Sequence, residues 1–200
     1  MLKLTNTQTY GWEAAVRGMR NPLNSWHLSD SEFSPLAIGD NDLDLMLRLA
    51  KGGSSHAKYR RMITVSVDIT APLYWWKEFD TYKIATVANS CSTMHKLHSR
   101  DLTLDDFSHE HLFNIWLDTL ELTIRAINTA RNDYILTNDK RLWRQMIQLL
   151  PTSYNQLRTV TLNYEVLHNI YHQRRNHKLD EWHTLCEWIE TLPYSEVITL

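Results

Sequence analysis

The chain has 200 residues, 43% of them hydrophobic and 22% charged, with a formal net charge of -2. It is long enough for one domain with its own core, and it lacks the basic excess of a nucleic-acid binder. Two cysteines are too few for a secreted disulfide framework, the first residues lack the apolar core of a signal peptide, and no run reaches the roughly 18 apolar residues of a bilayer span. A cytoplasmic protein that binds neither membrane nor nucleic acid is expected.

In chain order, Leu2–Thr9 alternates apolar and polar residues and predicts an edge strand. Trp12–Arg20 predicts a short helix ended by Asn21-Pro22, because proline disfavours helical geometry in the residue before it. Asn24–Leu36 is polar and irregular, a surface loop. The leucine-rich Asn41–Ala50 predicts a helix capped by Asn41 or Asp42 and stopped by Gly52-Gly53. Met62–Thr70 is the clearest strand, β-branched and alternating. Pro72 suits the first turn of an aromatic helix, Tyr74–Tyr82. Val87–Thr93 is small and polar, a site loop.

An amphipathic helix follows over His109–Asp133, its start marked by acidic residues that suit the helix dipole. Asn138-Asp139 caps another helix running to Leu150. Thr161–Arg175 and Leu179–Thr191 predict two more. With no repeat, low-complexity tract or linker, residues 1–200 read as a single α+β domain with a small antiparallel sheet and a helix-rich C-terminal half.

Two stretches carry more than this pattern. Ala71–Thr93 runs from Ala71-Pro72 through the aromatic helix into a small polar loop, and Leu150–Arg174 begins Leu150-Pro151 and continues through Thr161, Asn163, Leu167 and Asn169 to Arg174. Together they resemble the two signature regions of the flavin-dependent thymidylate synthases. That family's pattern R-H-R-x-x-S-x-x-x-x-S-x-R falls here on Thr81-Tyr82-Lys83, Thr86, Cys91 and Thr93. Its second block has Arg where this chain has Ile147, and N-x-R becomes Asn163-Tyr164-Glu165. The resemblance extends over about three quarters of the chain, including Ala14-Ala15-Val16-Arg17 and His56.

The resemblance implies an α+β subunit of a homotetramer, with FAD and nucleotide sites at subunit interfaces. It also implies a hydride passed from reduced FAD to a folate-derived methylene on deoxyuridine monophosphate. Carried over position by position, it places His56, Lys83, Thr86, Asn163 and Asn169 at the cofactor, and Asn89, Ser92 and Arg174 at the nucleotide. Cys91 would lie beside the reacting base, with Glu78 as acid or base. A thiol is a better nucleophile than a hydroxyl when a cation such as Lys83, Arg174 or His95 lowers its pKa; inert packing is the commoner role of a free cysteine.

Guanidinium groups match phosphate oxygens in a bidentate way, and each charged hydrogen bond is worth about 1.5–3 kcal/mol. Replacement of several arginines counts against ordinary dUMP methylation unless Lys77, Arg158 or Arg175 substitutes. The implied function is therefore a divergent protein of this type that binds a flavin, a nucleotide or both. If active it would be a transferase performing methyl transfer or reduction on a nucleotide. The alternative is a non-catalytic nucleotide-binding or assembly protein, phage-encoded.

Three further patterns have plain structural readings. Glu165, His168 and His172 share one helix face, but no second Glu-x-x-His or further carboxylate pair completes a metal site, so no metal is expected. Tyr74, Trp75, Trp76, Phe79 and Tyr82 either stack on a planar ring or form core, with Trp75 and Tyr82 on one face and Trp76 and Phe79 on another. The run from Arg174 to Lys178 suits the negative end of a helix dipole.

Overall fold

The strand-forming stretches assemble first into a sheet. The computed structural model describes residues 2–200, and its four-stranded antiparallel sheet has the order β1 (Lys3–Tyr10), β4 (Thr64–Pro72), β6 (Asn155–Asn163), β5 (Val87–Ser90). Register between the central strands is uniform. The Tyr164 amide donates to Ile63 O (3.0 Å), Ser66 and Thr161 hydroxyls meet at 2.9 Å, Thr159 donates to Asp68 (2.6 Å), and the Leu73 amide donates to Tyr154 O (3.0 Å). β4 buries Val65, Val67, Ile69 and Ala71 in strict alternation, the pattern that identified it. β1 lies at the sheet edge, as expected.

Two compact units form along this chain, and β4 and β6 contribute residues to each. The first comprises residues 2–3, 69–81 and 89–158. It holds α3 (Leu73–Phe79), the short α4 (Thr93–Lys96), α5 (Ile115–Thr137) and α6 (Lys140–Leu149). Ile124, Ile127, Ala130 and Met146 anchor its core together with Leu97, Leu102 and Phe107. The Asn128 side chain clamps the loop at Leu102, donating to its carbonyl (2.9 Å) and accepting from its amide (2.8 Å).

The second unit comprises residues 4–68, 82–88 and 159–200. It holds α1 (Trp12–Arg20), a hairpin of β2 (Glu32–Phe33) and β3 (Leu36–Ala37), α2 (Asp40–Lys51), α7 (Tyr164–Arg174), α8 (Asp180–Glu190) and α9 (Glu196–Thr199). Trp12, Met46, Tyr164, Trp182 and Ile189 are buried here, with the Trp12 ring edge-on to Tyr164 at 5.2 Å. Gly11 opens α1 at φ 86°, and a Cβ there would lie 2.1 Å from Met62 O, so only glycine fits.

Several expectations are corrected. The cap of α2 comes from Asp30, whose carboxylate accepts the Asn41 and Asp42 amides at 2.9 and 3.1 Å across Gly39. Asp42 is instead buried against Arg20. The loop predicted over Asn24–Leu36 contains a 3-10 turn and the β2–β3 hairpin. α5 begins at Ile115, not His109, because the acidic residues before it are used otherwise: Asp106 closes a capping box with Thr103 and pairs with Arg100. Thr161–Asn163 belongs to β6, and α7 starts at Tyr164. Val87–Thr93 is a strand leading into α4 rather than a loop. No helix among the described residues is long and apolar enough to cross a membrane.

Candidate functional site

In the first unit the candidate residues gather where β6 meets β5 and α3. The Cys91 amide donates to Leu157 O (2.8 Å), and its carbonyl accepts the Gln156 Nε2 (2.9 Å). Gln156 Oε1 in turn accepts Arg158 Nε (3.0 Å), while Arg158 Nη1 reaches Asp80 (2.7 Å). The Arg158 guanidinium lies 4.2 Å over the Trp76 ring, and the Trp76 indole N–H donates to Gln156 O (3.0 Å). This chain from Asp80 to Cys91 fixes the backbone of the thiol while leaving the residue exposed. Such a rigid support around an accessible side chain is what a site residue requires.

Ser92 accepts the His95 amide (3.2 Å) and so caps α4, and Asn89 is exposed on β5. Glu78 is half-buried on α3, its carbonyl taking both the amide and the hydroxyl of Thr81 (3.1 and 2.7 Å). Trp75, Trp76 and Phe79 are buried, Trp75 stacked on Phe79 at 5.0 Å. The expected Trp75–Tyr82 face does not form, because the helix ends at Phe79.

In the second unit Tyr82 instead belongs to Arg174. Its hydroxyl accepts Arg174 Nε (2.9 Å) and donates to Gln173 (2.9 Å). The guanidinium lies 4.6 Å over Trp182 and 5.7 Å from the Tyr82 ring centre. Cation–π contact on two rings and a hydrogen bond hold Arg174 in one pose, half-buried at the last turn of α7. Asn169 is exposed on the same helix. Asn163 is its N-cap, accepting the Val166 amide (3.0 Å), so that oxygen is committed to the helix. Lys83 is exposed in a turn that includes Ala85 at φ 55°, and the Thr86 hydroxyl contacts Ile84 O (3.5 Å).

His56 lines a cleft of about 870 Å³ between α1, α2 and the turn that follows α2. Leu23, Leu45 and Leu49 supply apolar wall, Lys58 supplies charge, and Arg48 is paired with Asp44, also in the lining (2.9 Å). This is within the size range of clefts that enclose cofactors, and an apolar wall with Lys58 as its unpaired cation among the described residues suits a planar ring linked to phosphate. The residues present therefore fit a flavin or a nucleotide. One wall is locked by Arg20, whose Nε donates to the buried Asp42 at 2.5 Å. Burial would raise the Asp42 pKa, but hydrogen bonds from Ser31, Ser29 and Arg20 and the charge of Arg20 hold it below the usual carboxylate value.

The Glu165, His168 and His172 trio is spent locally. His168 Nδ1 bonds Ile198 O (2.7 Å), His172 Nε2 lies 3.2 Å from Leu200 O, and Glu165 approaches the buried Arg60 (3.8 Å). Among the described residues no group of three or more His, Cys, Asp or Glu is arranged to hold a metal ion.

Gln156, Asp80, Gln173 and Trp182 were not singled out from the sequence. The faint signal was the spacing Gln156, Arg158, Val160, Leu162, a period of two whose first half is polar.

No protein-family model matches the chain, and no curated protein matches its sequence. Solved structures do. Thymidylate synthase X from Helicobacter pylori, crystallised with FAD and dUMP, superposes over 100% of both chains with a TM-score of 0.73 at 15% identity. A second structure of the flavin-dependent enzyme from that organism, also complexed with FAD and dUMP, gives 0.73 over 98% of each chain. The UMP/dUMP methylase PolB from Streptomyces cacaoi, bound with 5-Br dUMP, gives 0.64 over 100% of this chain and 94% of the other at 15% identity. At that identity the likeness is one of fold, and the chain has the α+β fold of the flavin-dependent thymidylate synthases throughout its length.

Proposed function

We propose that this protein binds a flavin, a nucleotide or both, and that any reaction it performs is a transfer or reduction on a nucleotide distinct from ordinary dUMP methylation. The observation that carries this reading is a full-length match to a fold whose solved members hold FAD and dUMP, joined to a cleft of suitable size carrying His56. On this reading His56 and the neighbouring Lys58 hold the cofactor at the cleft; Lys83, Thr86, Asn163 and Asn169 do not line it and are proposed as cofactor contacts on the resemblance alone. Arg174 holds a carbonyl or phosphate oxygen of the nucleotide. In the first unit, taken by itself, Asn89 and Ser92 are proposed to orient a base, with Cys91 beside the reacting carbon and Glu78 moving a proton. Bound FAD, once reduced, supplies a hydride; the chain supplies position and charge.

The replaced arginines argue for an altered substrate. Glu165 occupies a position that is cationic in the resembled family, and here it faces Arg60 inside the protein. Arg158, a possible substitute cation, is engaged by Asp80. The same engagement of Arg158, and the packing of Arg174 against Tyr82 and Trp182, favours a second reading: a binding or assembly protein without catalysis. Self-association fits either reading, because Phe113, Ile115, Trp116 and Leu122 are exposed at 57–67% around α5, and a homotetramer is the expected assembly.

The visible spectrum of the purified protein, with and without added FAD, tests the proposal. Flavin bands that travel with the protein, and weaken in His56→Ala, are expected. No binding at high FAD, together with no binding of dUMP or UMP, overturns it. Binding with no turnover of any nucleotide selects the second reading.

A further inference from the structure

We propose that a second pocket, in the first unit between α4, the end of α5 and the start of α6, binds a planar ring carrying a phosphate, of mononucleotide size. None of its lining residues is given a binding role above, although Ser92 accepts the His95 amide at its rim (3.2 Å), and it has a volume of about 580 Å³. Met94, His95, His98, Tyr134, Lys140 and Trp143 line it. No carboxylate is among them.

The lining divides by chemistry. Tyr134 and Trp143 are half-buried and rest on the core of this unit. The Trp143 indole N–H is committed to Met94 O (3.3 Å), which fixes the ring and leaves its π-face for stacking. His98 packs edge-on to Tyr134 at 5.4 Å, and its backbone is held by Arg131 Nε donating to its carbonyl (3.0 Å). The aromatic part is therefore rigid before any ligand arrives.

The polar part is uncommitted. His98 Nδ1 has no hydrogen-bond partner among the described residues but is closed off from the pocket's open space, so Lys140 and His95 are the groups open to a ligand. The His95 ring and the Lys140 ammonium also lack a partner among the described residues. The nearest acid in sequence, Asp139, is consumed by Arg141, which it meets through three side-chain contacts of 2.7–3.1 Å. Lys140 is the first residue of α6, whose positive end is already offset by its N-cap, the Asp139 carboxylate, which accepts the Arg141 amide (2.9 Å). The Lys140 ammonium and the His95 imidazole beside fixed aromatic faces, with no carboxylate in the lining, select an anionic planar ligand. The volume exceeds what a single-ring carboxylate would fill, which favours a phosphorylated nucleoside.

Calorimetric titration of the full chain with AMP, adenosine and inorganic phosphate tests this, repeated on Lys140→Glu. Glutamate at the first position of a helix suits the dipole, so the variant keeps its fold. AMP is expected to bind, with adenosine and phosphate each weaker by about tenfold or more and Lys140→Glu weakening AMP by a similar factor. FAD bands, if present in the parent, remain unchanged in the variant, which separates this pocket from the cleft of His56. Absence of AMP binding, adenosine binding as tightly as AMP, or AMP binding that Lys140→Glu leaves intact overturns the proposal.

Discussion

Asp42→Ala is expected to be the most damaging single truncation near the cleft. The Asp42 carboxylate is fully buried and receives Arg20 Nε (2.5 Å), the hydroxyls of Ser29 and Ser31 (2.7 Å each) and the Asp30 amide (3.2 Å). Its removal leaves Arg20, only 4% exposed, with the Ser25 carbonyl (3.2 Å) as its remaining contact. An uncompensated buried charge of this kind costs about 3–5 kcal/mol. For a domain of this size that lowers Tm by roughly 6–20 °C. Replacing both partners by apolar residues, Arg20→Met with Asp42→Leu, should cost less than Asp42→Ala alone, since no charge is then stranded.

The pair also has a pH signature. Because the folded Asp42 pKa lies below its unfolded value, its contribution is complete above about pH 4 and is lost as pH falls through the depressed folded value. Urea unfolding of the parent, Asp42→Ala and the double variant across pH 3–7 measures each quantity. A cost below about 1 kcal/mol for Asp42→Ala, or a double variant less stable than the single, would refute the argument.

Two other predictions follow from burial. Cys91 is exposed, whereas Cys186 is buried with its thiol pushed up to about 11, mainly by burial. Iodoacetamide on the native protein should modify Cys91 alone, with Cys186 reacting only after unfolding, as read by peptide mass; equal labelling of both would sink the assignment. His168 has its pKa lowered, chiefly by burial, opposed by its bond to Ile198 O and aided by Arg60 and His172. The folded state therefore resists its protonation, and stability should decline as pH falls below about 6.5 towards the depressed value. His168→Gln should flatten that decline; an unchanged slope would show that His168 is not its source.

The fold was legible where pattern and burial coincide. β4 alternates because it is flanked by strands on both sides and buries every second residue on one face. α1 and α8 were bounded to within a residue by their own apolar spacing and breakers. β6 was missed because the inward positions of its first half carry Gln156 and Arg158, polar side chains made tolerable by Trp76, Asp80 and Cys91, partners distant in sequence. The start of α5 was misplaced for a related reason: the acidic residues before it read as complements to its dipole, but Asp106 is claimed by Arg100.

The candidate site divides in the same way. Residue order alone gave Cys91, Asn163 and Arg174 only as expectations drawn from a resemblance, together with the positions where that pattern has arginine and this chain does not. Whether a remaining cation is available to a ligand depends on what surrounds it in space. Only folding brought Tyr82 and Trp182 around Arg174 and Asp80 against Arg158. Only folding left the Lys140 ammonium and His98 Nδ1 without hydrogen-bond partners among the described residues, because hydrogen bonds and charge pairs are made between neighbours in three dimensions, and a linear pattern records only the neighbours along the chain.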